Sequence, residues 1–412
     1  MKIRTTLICL LSSFVLHPSA FSQGPLPPPG PPGPTMKTLD QVEARIPIDV
    51  VHTPGDGTSE FIIPANGAGS YYLTGNIDVG KANGITVAAA GVTIDLNGFA
   101  VRRTANAGGT GIRIETAASA CVVKNGSVRG FEVGVRARPE DNPGSSGAPA
   151  GRLHHLKVTN CSGTGVIIGD GWEIADCGLF ENGSGIAAGI GACTIQHCVV
   201  NASTQGNGMT LSGGTVLGCV VTRNKGAGII MFSGTITDCL TESNGGDGIV
   251  GDLRSMISHC TSTHNGANGI TAGSPGVISG CTVFGNDQDG ILVSDDCEVL
   301  NNTSTQNGRG NGITTGAGIH ATGKANQIRG NNTTENDIGI NAGGIGNLID
   351  GNHVRNNTGP GIQVTTANGK NVIIRNVAGN NVNSYTGIAS GNQVAPIDTN
   401  FTATSPFANF QN

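Results

Sequence analysis

The chain has 412 residues, a length that allows one large domain or two to three ordinary ones. Charged residues are only 12% and aromatic residues 4%, whereas glycine contributes 67 residues, so a mainly helical protein is excluded and strands joined by tight turns are favoured. A net charge of −5 without a basic stripe argues against nucleic acid as a partner.

Residues 1–22 have the pattern of a secretion signal. Lys2 and Arg4 precede an apolar run from Leu7 to Leu16, and small residues follow up to Ser22. The run is too short to span a bilayer and no second hydrophobic segment follows, so no transmembrane segment is expected in the mature chain. The sequence therefore predicts a protein that is secreted, extracellular or held in the cell envelope.

Residues 23–35 are rich in proline and glycine, which predicts an extended polyproline spacer. Residues 36–82 are expected to form an N-terminal cap and the first strands. Within them, Met36–Pro47 has a helical pattern with Thr38 at its start, which predicts a short capping helix.

A repeat of about 21 residues fills positions 83–383. Its first column is a Cys or Asn that follows an aliphatic residue and two spacers, and from Leu156 to Asn302 it recurs every 20 or 21 residues. Six members are the cysteines Cys177, Cys198, Cys219, Cys239, Cys260 and Cys281. A second column lies five residues later and includes Asn224, Asn244, Asn265, Asn286 and Asn307. A third column is a Gly-Ile pair, as in Gly269-Ile270.

The repeat indicates a stacked all-β architecture. No unit carries a helical pattern of ten or more residues, and propeller blades need about 40 residues. Short strands joined by Gly and Asn corners predict a parallel β-helix, a solenoid of about 13 coils that stack at about 4.8 Å. The tail, residues 384–412, loses the period and is predicted to cap the far end.

Stacking gives each column a physical meaning. The asparagines are expected to form a ladder that bonds turn backbone and neighbouring coils, and the glycines to supply positive φ at a corner. The cysteine column is interpreted as an interior ladder of free thiols, with disulfides between coils or metal binding as the alternatives. The replacement of Cys281 by Asn302 in the same column favours a packing position.

The N-terminal segments "LDQVEARIPID", "TPGDGTSEFII", "GSYYLTGNI" and "NGITVAAAGVTIDLNGFAV" and the repeats together resemble secreted bacterial right-handed parallel β-helix repeat proteins of the pectin-lyase-like superfamily. Right-handed winding is implied by this resemblance, which covers nearly the whole mature chain. The close family has no established activity, and more distant relatives include polysaccharide lyases, glycoside hydrolases, epimerases and phage tailspikes. The resemblance therefore implies a fold and leaves the reaction open.

Candidate chemistry lies in the residues immediately before the Cys/Asn column. Asp176 with His197, and Asp238 with His259, fall on adjacent coils, where each pair is a candidate acid–base pair; a freely varying solvated column is the alternative. Asp247 and Asp289 precede Gly-Ile pairs and are candidate Ca²⁺ ligands; no other cofactor is expected.

Two functions remain open from the sequence. One is a non-catalytic protein whose long solenoid faces bind glycan or a cell-surface partner. The other is a carbohydrate-active enzyme, a polysaccharide lyase or glycoside hydrolase acting on acidic polysaccharide. The uniform repeats and the absence of complete catalytic motifs favour the first.

Overall fold

A computed structural model describes residues 45–104, 108–137, 150–189, 191–308, 316–366, 369–388 and 391–412. The chain divides into two units, Met1–Ala44 and Arg45–Asn412, and the described residues all belong to the second. The predicted secretion signal, the spacer and most of the predicted capping helix lie outside the described residues.

The second unit is a stack of coils, each with three short strands that pair in parallel with the equivalent strands of the next coil. One strand of each coil belongs to a 15-stranded sheet, and the other two belong to a 30-stranded sheet. In the 30-stranded sheet these two strands form a first row and a second row, separated by a bend. Strands β9 and β11 are long enough to run through the bend and join both rows.

The first coils contain β1 Ile46–Pro47, β2 Ser59–Ile63, β3 Gly69–Tyr72, β4 Ile77–Val79, β5 Asn83–Val87, β6 Val92–Asp95, β7 Ala100–Arg103, β8 Thr110–Ile114, β9 Cys121–Arg129, β10 Val133–Arg136 and β11 Gly151–Thr159.

The regular middle coils contain β12 Thr164–Ile168, β13 Trp172–Ala175, β14 Gly178–Phe180, β15 Ser184–Ala188, β16 Cys193–Gln196, β17 Val199–Asn201, β18 Met209–Leu211, β19 Gly214–Leu217, β20 Val220–Thr222, β21 Ile229–Met231, β22 Gly234–Thr237, β23 Leu240–Glu242, β24 Ile249–Gly251, β25 Met256–Ser258, β26 Thr261–Thr263, β27 Ile270–Ala272, β28 Val277–Ser279, β29 Thr282–Phe284, β30 Ile291–Val293, β31 Glu298–Leu300 and β32 Thr303–Thr305.

The last coils contain β33 Ala317–Ala321, β34 Gln327–Arg329, β35 Asn332–Thr334, β36 Ile338–Ala342, β37 Leu348–Asp350, β38 His353–Arg355, β39 Pro360–Val364, β40 Val372–Ile374, β41 Val377–Gly379, β42 Asn383–Thr386, β43 Gln393–Val394, β44 Ile397–Asp398 and β45 Asn409–Gln411.

The predicted all-β parallel solenoid is confirmed, with fifteen coils where the sequence indicates about 13. The two additional coils contain β2 and β42, at the two ends of the 15-stranded sheet, where the Cys/Asn column was not recognised in the sequence. Stacking at about 4.8 Å makes this unit roughly 67 Å long over its fourteen steps.

The described residues contain no helix, and therefore none that could span a membrane. The last residues of the predicted capping helix, Ile46 and Pro47, are instead β1, which pairs in parallel with Tyr71 and Tyr72 of β3. The predicted helix therefore does not extend to Pro47, because this segment adds an end strand to the 30-stranded sheet.

The interior consists of aliphatic side chains stacked coil upon coil. In the first row, Ile195, Val216, Ile236, Ile257 and Ile278 occupy equivalent positions and are fully buried. Their neighbours along each strand face outward, so the core uses one residue in two and leaves the alternate column for solvent or ligand.

The Gly-Ile column needs a different explanation from the one the sequence indicates. Gly228, Gly248 and Gly269 are not among the positive-φ residues, so the expected corner conformation is wrong there. A Cβ on Gly269 would lie 2.3 Å from Val283 Cγ1 and 2.6 Å from the carbonyl oxygen of Gly290. Glycine is required because adjacent coils and the next strand's side chain approach the backbone too closely for any side chain.

Candidate functional site

The bend between the two rows carries the four sequence-predicted acid–base residues. Asp176, His197, Asp238 and His259 all have φ between 52° and 54°, in the left-handed region. Glycine tolerates this conformation, and Asp, His and Asn are the side chains next most often found there. The alternation of His, Asp, Asn and Gly in this column is thus explained by backbone geometry.

The two predicted acid–base pairs differ in the distance between their side chains. His197 Nδ1 lies 4.0 Å from Asp176 Oδ1, and on the other side His155 Nε2 lies 3.9 Å from Asp176 Oδ2. Asp238 and His259 form no ion pair within 4.0 Å, although both residues are described. Of the two predicted pairs, only Asp176 and His197 are therefore brought together, in a row in which Asp176 lies between two imidazoles.

Four further residues complete a polar cluster around Asp176. We call this cluster the histidine patch; it consists of Arg152, His154, His155, Glu173, Asp176, Gln196 and His197. Arg152 Nε lies 2.9 Å from Glu173 Oε2, and Gln196 Nε2 donates to Glu173 Oε1 at 2.9 Å. The three side chains come from three successive strands of the first row, β11, β13 and β16; Arg152 is in register with Glu173, whereas Gln196 is in register with Ala175 and reaches Glu173 diagonally.

No periodic pattern marks Arg152, His154 or Glu173 in the sequence, because outward positions of the first row vary from coil to coil. The signal that would have found them is proximity in register: Arg152 pairs with Glu173, and His154 with Ala175. The double histidine at positions 154 and 155 is the local feature that marks the patch in the sequence.

Two adjoining hollows lie over the patch. One, of about 250 Å³, has Ala175 at its base and is lined by Arg152, His154, His155 and Asp176 among others. The other, of about 490 Å³, shares Arg152 and Glu173 with the first and extends over Trp172 and Gly151. Because Ala175 is small, the surface of the first hollow is recessed between longer polar side chains.

The two imidazoles of the patch constrain each other's protonation. His154 Nδ1 and His155 Nδ1 are 3.1 Å apart, so one nitrogen must donate and the other accept, and at least one ring is neutral. Burial, and then the proximity of His155 and Lys124, lower the pKa of His154 below its usual value. His154 is therefore neutral at neutral pH.

The candidate Ca²⁺ ligands already have hydrogen-bond donors. Asp247 accepts from the Asn268 backbone N–H at 2.9 Å and from Thr271 Oγ1 at 2.7 Å. Asp289 accepts from the Ala317 backbone N–H at 2.6 Å, and its second oxygen lies 2.8 Å from His320 Nδ1. These contacts link neighbouring coils without a metal, and the Ca²⁺ site stays a prediction. Nowhere in the described ranges do three or more His, Cys, Asp or Glu side chains converge as around a metal ion.

The six-cysteine column lies in the interior as free thiols. Cys281 Sγ contacts the carbonyl oxygen of Ile257 on the preceding coil at 3.8 Å and that of Ser279 at 3.5 Å. Asn302, the next member of the column, donates its side-chain N–H to the equivalent carbonyl of Ile278 at 3.0 Å. Cys and Asn therefore fill the same packing position and bond the same kind of carbonyl. The remaining members Cys177, Cys198, Cys219, Cys239 and Cys260 make the same pair of contacts.

The second column forms a buried amide ladder. Asn265 Oδ1 accepts from the backbone N–H and the side-chain N–H of Asn244, both at 3.0 Å, and Asn265 Nδ2 donates to Asn286 Oδ1 at 2.9 Å. Asn224 and Asn307 continue the ladder on either side. Sequence reasoning missed a third ladder after the 15-stranded sheet, formed by Asn326, Asn347, Asn371 and Asn392.

Three short strands per coil, in-register parallel pairing and amide ladders at the bends define the class of protein, a parallel β-helix. The chain matches the family described as "Right handed beta helix region" over residues 144–276, 214–315 and 273–404, together more than half of its length. It belongs to that family, and the right-handed winding implied by the resemblance is confirmed. No curated protein matches the chain.

Solved structures share the fold at low sequence identity. The A-module of the Azotobacter vinelandii mannuronan C-5 epimerase AlgE6 is 15% identical, with a TM-score of 0.50 over 81% of this chain and 92% of that one. The AlgE4 A-module of the same organism is 13% identical, with a TM-score of 0.49 over 84% and 91%. The Dettilon tailspike protein is 16% identical, with a TM-score of 0.39 over 83% and 61%.

Proposed function

We propose that this protein is exported and binds an acidic polysaccharide, with the histidine patch as its sugar-contacting site. The observation that carries the proposal is the 250 Å³ hollow at Ala175, around which a cation, two imidazoles and two carboxylates converge. The leader-like residues 1–22 support export.

Arg152 is the group of the patch that would contact a sugar carboxylate. Its side chain is 68% exposed although it pairs with Glu173, so its remaining N–H groups are accessible to a ligand. A guanidinium matches a carboxylate in two parallel hydrogen bonds. Glu173, Asp176 and Gln196 supply acceptors for sugar hydroxyl groups, and the open surface suits a polymer more than a small molecule.

The fold supports the class of ligand. The coil stack resembles a module named for an epimerase of mannuronan, so a polysaccharide acts as the ligand of at least one such scaffold. Nothing in the likeness extends to the residues of the patch, and the proposal rests on those residues.

Titration with a polyuronate tests the binding proposal. We expect alginate or polygalacturonate, but not neutral dextran, to bind the intact chain, and Arg152→Gln to weaken binding about tenfold through loss of a charge-assisted contact. Arg254→Gln, an equal charge change at an exposed position far from the patch, is the matched control and should bind like the wild type. Equal affinity of the Arg152→Gln and wild-type proteins would contradict the proposal.

A second candidate is a lyase reaction at the same patch, favoured by the neutral His154 beside His155. His154 would remove the ring proton next to the sugar carboxylate while Arg152 neutralises that carboxylate. The electron pair would form a carbon–carbon double bond as the adjacent glycosidic C–O bond breaks, and His155 would protonate the departing oxygen. A glycoside hydrolase has no comparable support from the geometry.

The ultraviolet absorbance of the unsaturated product tests the lyase reaction. We expect it to appear with a polyuronate and to be lost in His154→Gln. The Asp238→Ala/His259→Ala double variant is the control, because these residues form no pair, and it should retain the signal. Binding without any absorbance change leaves a non-catalytic glycan-binding protein as the function.

A further inference from the structure

A second polar notch lies in the first row near the C-terminal end of the stack. Asp350 is 4% exposed, and its carboxylate accepts hydrogen bonds from Arg375 Nε at 2.7 Å and from Arg375 Nη2. Arg329 Nε lies 3.4 Å from the same carboxylate, on the opposite side. One buried carboxylate thus holds two guanidinium groups from coils on either side of it, and the cluster keeps a net positive charge.

The notch exists because the bend at Gly351 carries no side chain and is left open, whereas the preceding Gly330 is covered by Asn301, whose Oδ1 would lie 2.5 Å from an added Cβ. Gly330 and Gly351 lie between Asn301 and Arg375 in the bend column, and together with Leu300 and Arg329 they line a hollow of about 500 Å³. At Gly351 an added Cβ would meet nothing within 4 Å.

Other bend glycines do not leave such space. The space beside Gly218 is covered by the His197 ring, whose Cδ2 would lie 2.9 Å from an added Cβ, and His259 covers Gly280 in the same way at 3.0 Å. The notch over Gly351 is therefore a departure from the column's ordinary packing, and it lies next to two cations.

Both guanidinium groups retain donors for a ligand. Arg375 directs Nε and Nη2 at Asp350, and Arg329 turns Nε towards it, yet their side chains are 48% and 47% exposed. Asp350 fixes the plane of the Arg375 group by two hydrogen bonds, and Arg329 is positioned by its ion pair with Asp350 and by Nη1, which donates to Gln327 Oε1 at 3.4 Å. This positioning reduces the entropy lost when an anion binds. An anion with two or three oxygens, a carboxylate or a sulfate, matches these remaining N–H groups.

The notch and the histidine patch lie on the same face. From β13 to β37 the first row advances eight coils, which is about 38 Å at about 4.8 Å a coil. The outward side chains between them include the small polar residues Thr194, Thr215, Thr235, Ser258 and Ser279, the apolar residues Leu217, Met256, Val277 and Leu300, and the acidic Glu298. An extended polymer can therefore lie along the first row and reach both sites.

We infer that Arg329 and Arg375, held by Asp350, form a second anion-binding subsite that takes a carboxylate or sulfate group of the same polysaccharide chain. The ligand class rests on the proposed function; the anion site rests on the Arg329–Asp350–Arg375 geometry. Two subsites on one chain raise the affinity for long polymers, because the second contact becomes intramolecular.

Nitrogen-15 NMR of the intact protein, observing arginine Nε–H and histidine ring signals, separates the two proposals. Trigalacturonate is the carboxylate probe, a sulfated trisaccharide the sulfate probe, and maltotriose the neutral control. We expect either anionic probe, and not maltotriose, to shift the Arg329 and Arg375 signals. The probe that shifts them at lower concentration identifies the anion.

Each possible pattern of NMR shifts decides whether the anion subsite, the histidine patch or both are supported. Shifts at Arg329 and Arg375 without shifts at His154 and His155 support the anion subsite and overturn the proposed function of the patch. Shifts confined to the histidines overturn the subsite and leave the patch standing. No shift at either place overturns both.

Arg329→Gln tests the subsite by affinity. We expect about tenfold weaker binding of a long polyuronate, with binding of trigalacturonate at the histidine patch unchanged. Asp350 keeps its pairing with Arg375 in this variant, so folding is preserved, and Arg254→Gln is the charge-matched control. Polymer affinity equal to that of the control would overturn the subsite.

Discussion

At the scale of single residues, backbone conformation decides what each bend position can be. The column through Asp176, His197, Gly218 and Asp238 holds φ near +55° throughout, so its residue types reflect tolerance of the left-handed region. The proposed sugar-binding site uses this bend only together with neighbouring outward side chains, as with Arg152 and Glu173 beside Asp176.

Substitution of Asp238 tests this explanation. We expect Asp238→Gly to leave the free energy of unfolding within about 0.5 kcal/mol of the wild-type value. Asp238→Val should lower it by about 1–2 kcal/mol, because a β-branched residue is strained at φ 54°. Thr235→Val, an outward strand position on the same coil, serves as the control and should be neutral. A valine variant as stable as the glycine variant would contradict a left-handed bend.

At the scale of the element, amide ladders connect the coils where strand pairing stops. Each bend leaves backbone N–H groups without strand partners, and the Asn side chain of the following coil accepts from them, as Asn302 does from Cys281 at 2.9 Å. The C-terminal tail takes part, since Asn409 Oδ1 accepts from the Asn376 backbone N–H at 3.0 Å and so ends the first column.

Removal of one asparagine side chain tests how much the amide ladder stabilises the fold. Asn265→Ala leaves the Asn244 backbone N–H buried without a partner and removes one of the two hydrogen bonds to Asn286 Oδ1, so we expect a loss of about 2–4 kcal/mol in the free energy of unfolding. Asn332→Ala, at an outward strand position, should change it by less than about 0.5 kcal/mol. Similar urea midpoints for the two variants would contradict the ladder's role.

The buried thiols predict that the stability of the folded protein falls at alkaline pH. Burial raises the pKa of Cys161 to about 11, and a hydrogen bond with Cys198, followed by burial, raises the pKa of Cys177 further. Their folded-state pKa values exceed the unfolded value of about 9, so their contribution is complete below pH 9 and is lost as pH rises towards the folded values.

We therefore expect the free energy of unfolding to fall above pH 9, by about 1.4 kcal/mol per pH unit for each such thiol. Urea denaturation at pH 7 to 10.5 under reducing conditions measures it, with Cys161→Ala as the variant in which the slope becomes shallower. A slope unchanged in that variant would show that the Cys161 thiol is not the titrating group. Thiol reagents should label the folded chain at pH 7 far more slowly than the chain in guanidinium chloride.

At the scale of the whole unit, each coil contacts only its neighbours, so stability is the sum of coils and their interfaces. The repeat can therefore lose one complete coil without losing its register. Leu240 pairs with Thr261, and both residues follow a cysteine of the first column.

Deletion of residues 240–260 joins Cys239 directly to Thr261 and should give a folded protein. We expect a β-rich circular dichroism spectrum and a melting temperature within a few degrees of the wild type. Deletion of residues 240–250, about half a coil, breaks the register and should prevent cooperative melting. Loss of folding in the full-coil deletion would contradict the one-dimensional stack. The deletion of residues 240–260 also brings the histidine patch and the Arg329–Arg375 notch closer by about 4.8 Å.

The amino-acid sequence by itself determined the coil. Periodic Ile and Val define an interior, Asn and Cys define the bends, and a period near 21 leaves only a parallel stack, because identical positions must pile up along one axis. Even so, the roles of individual columns were partly misread. The Gly-Ile glycines relieve close packing, and Asn125 aligns with His155 in the bend column, since Gly126 pairs with Leu156.

The tertiary structure alone decided which outward side chains meet. In the notch, Asp350 follows Arg329 by 21 positions and precedes Arg375 by 25. In the histidine patch, Glu173 follows Arg152 by 21 positions and precedes Gln196 by 23. Insertions elsewhere lengthen the step between coils to 29. Outward positions have no packing constraint to make them periodic, so no pattern marks them in the sequence. Their neighbours are fixed only when the interior columns have set the register of one coil on the next.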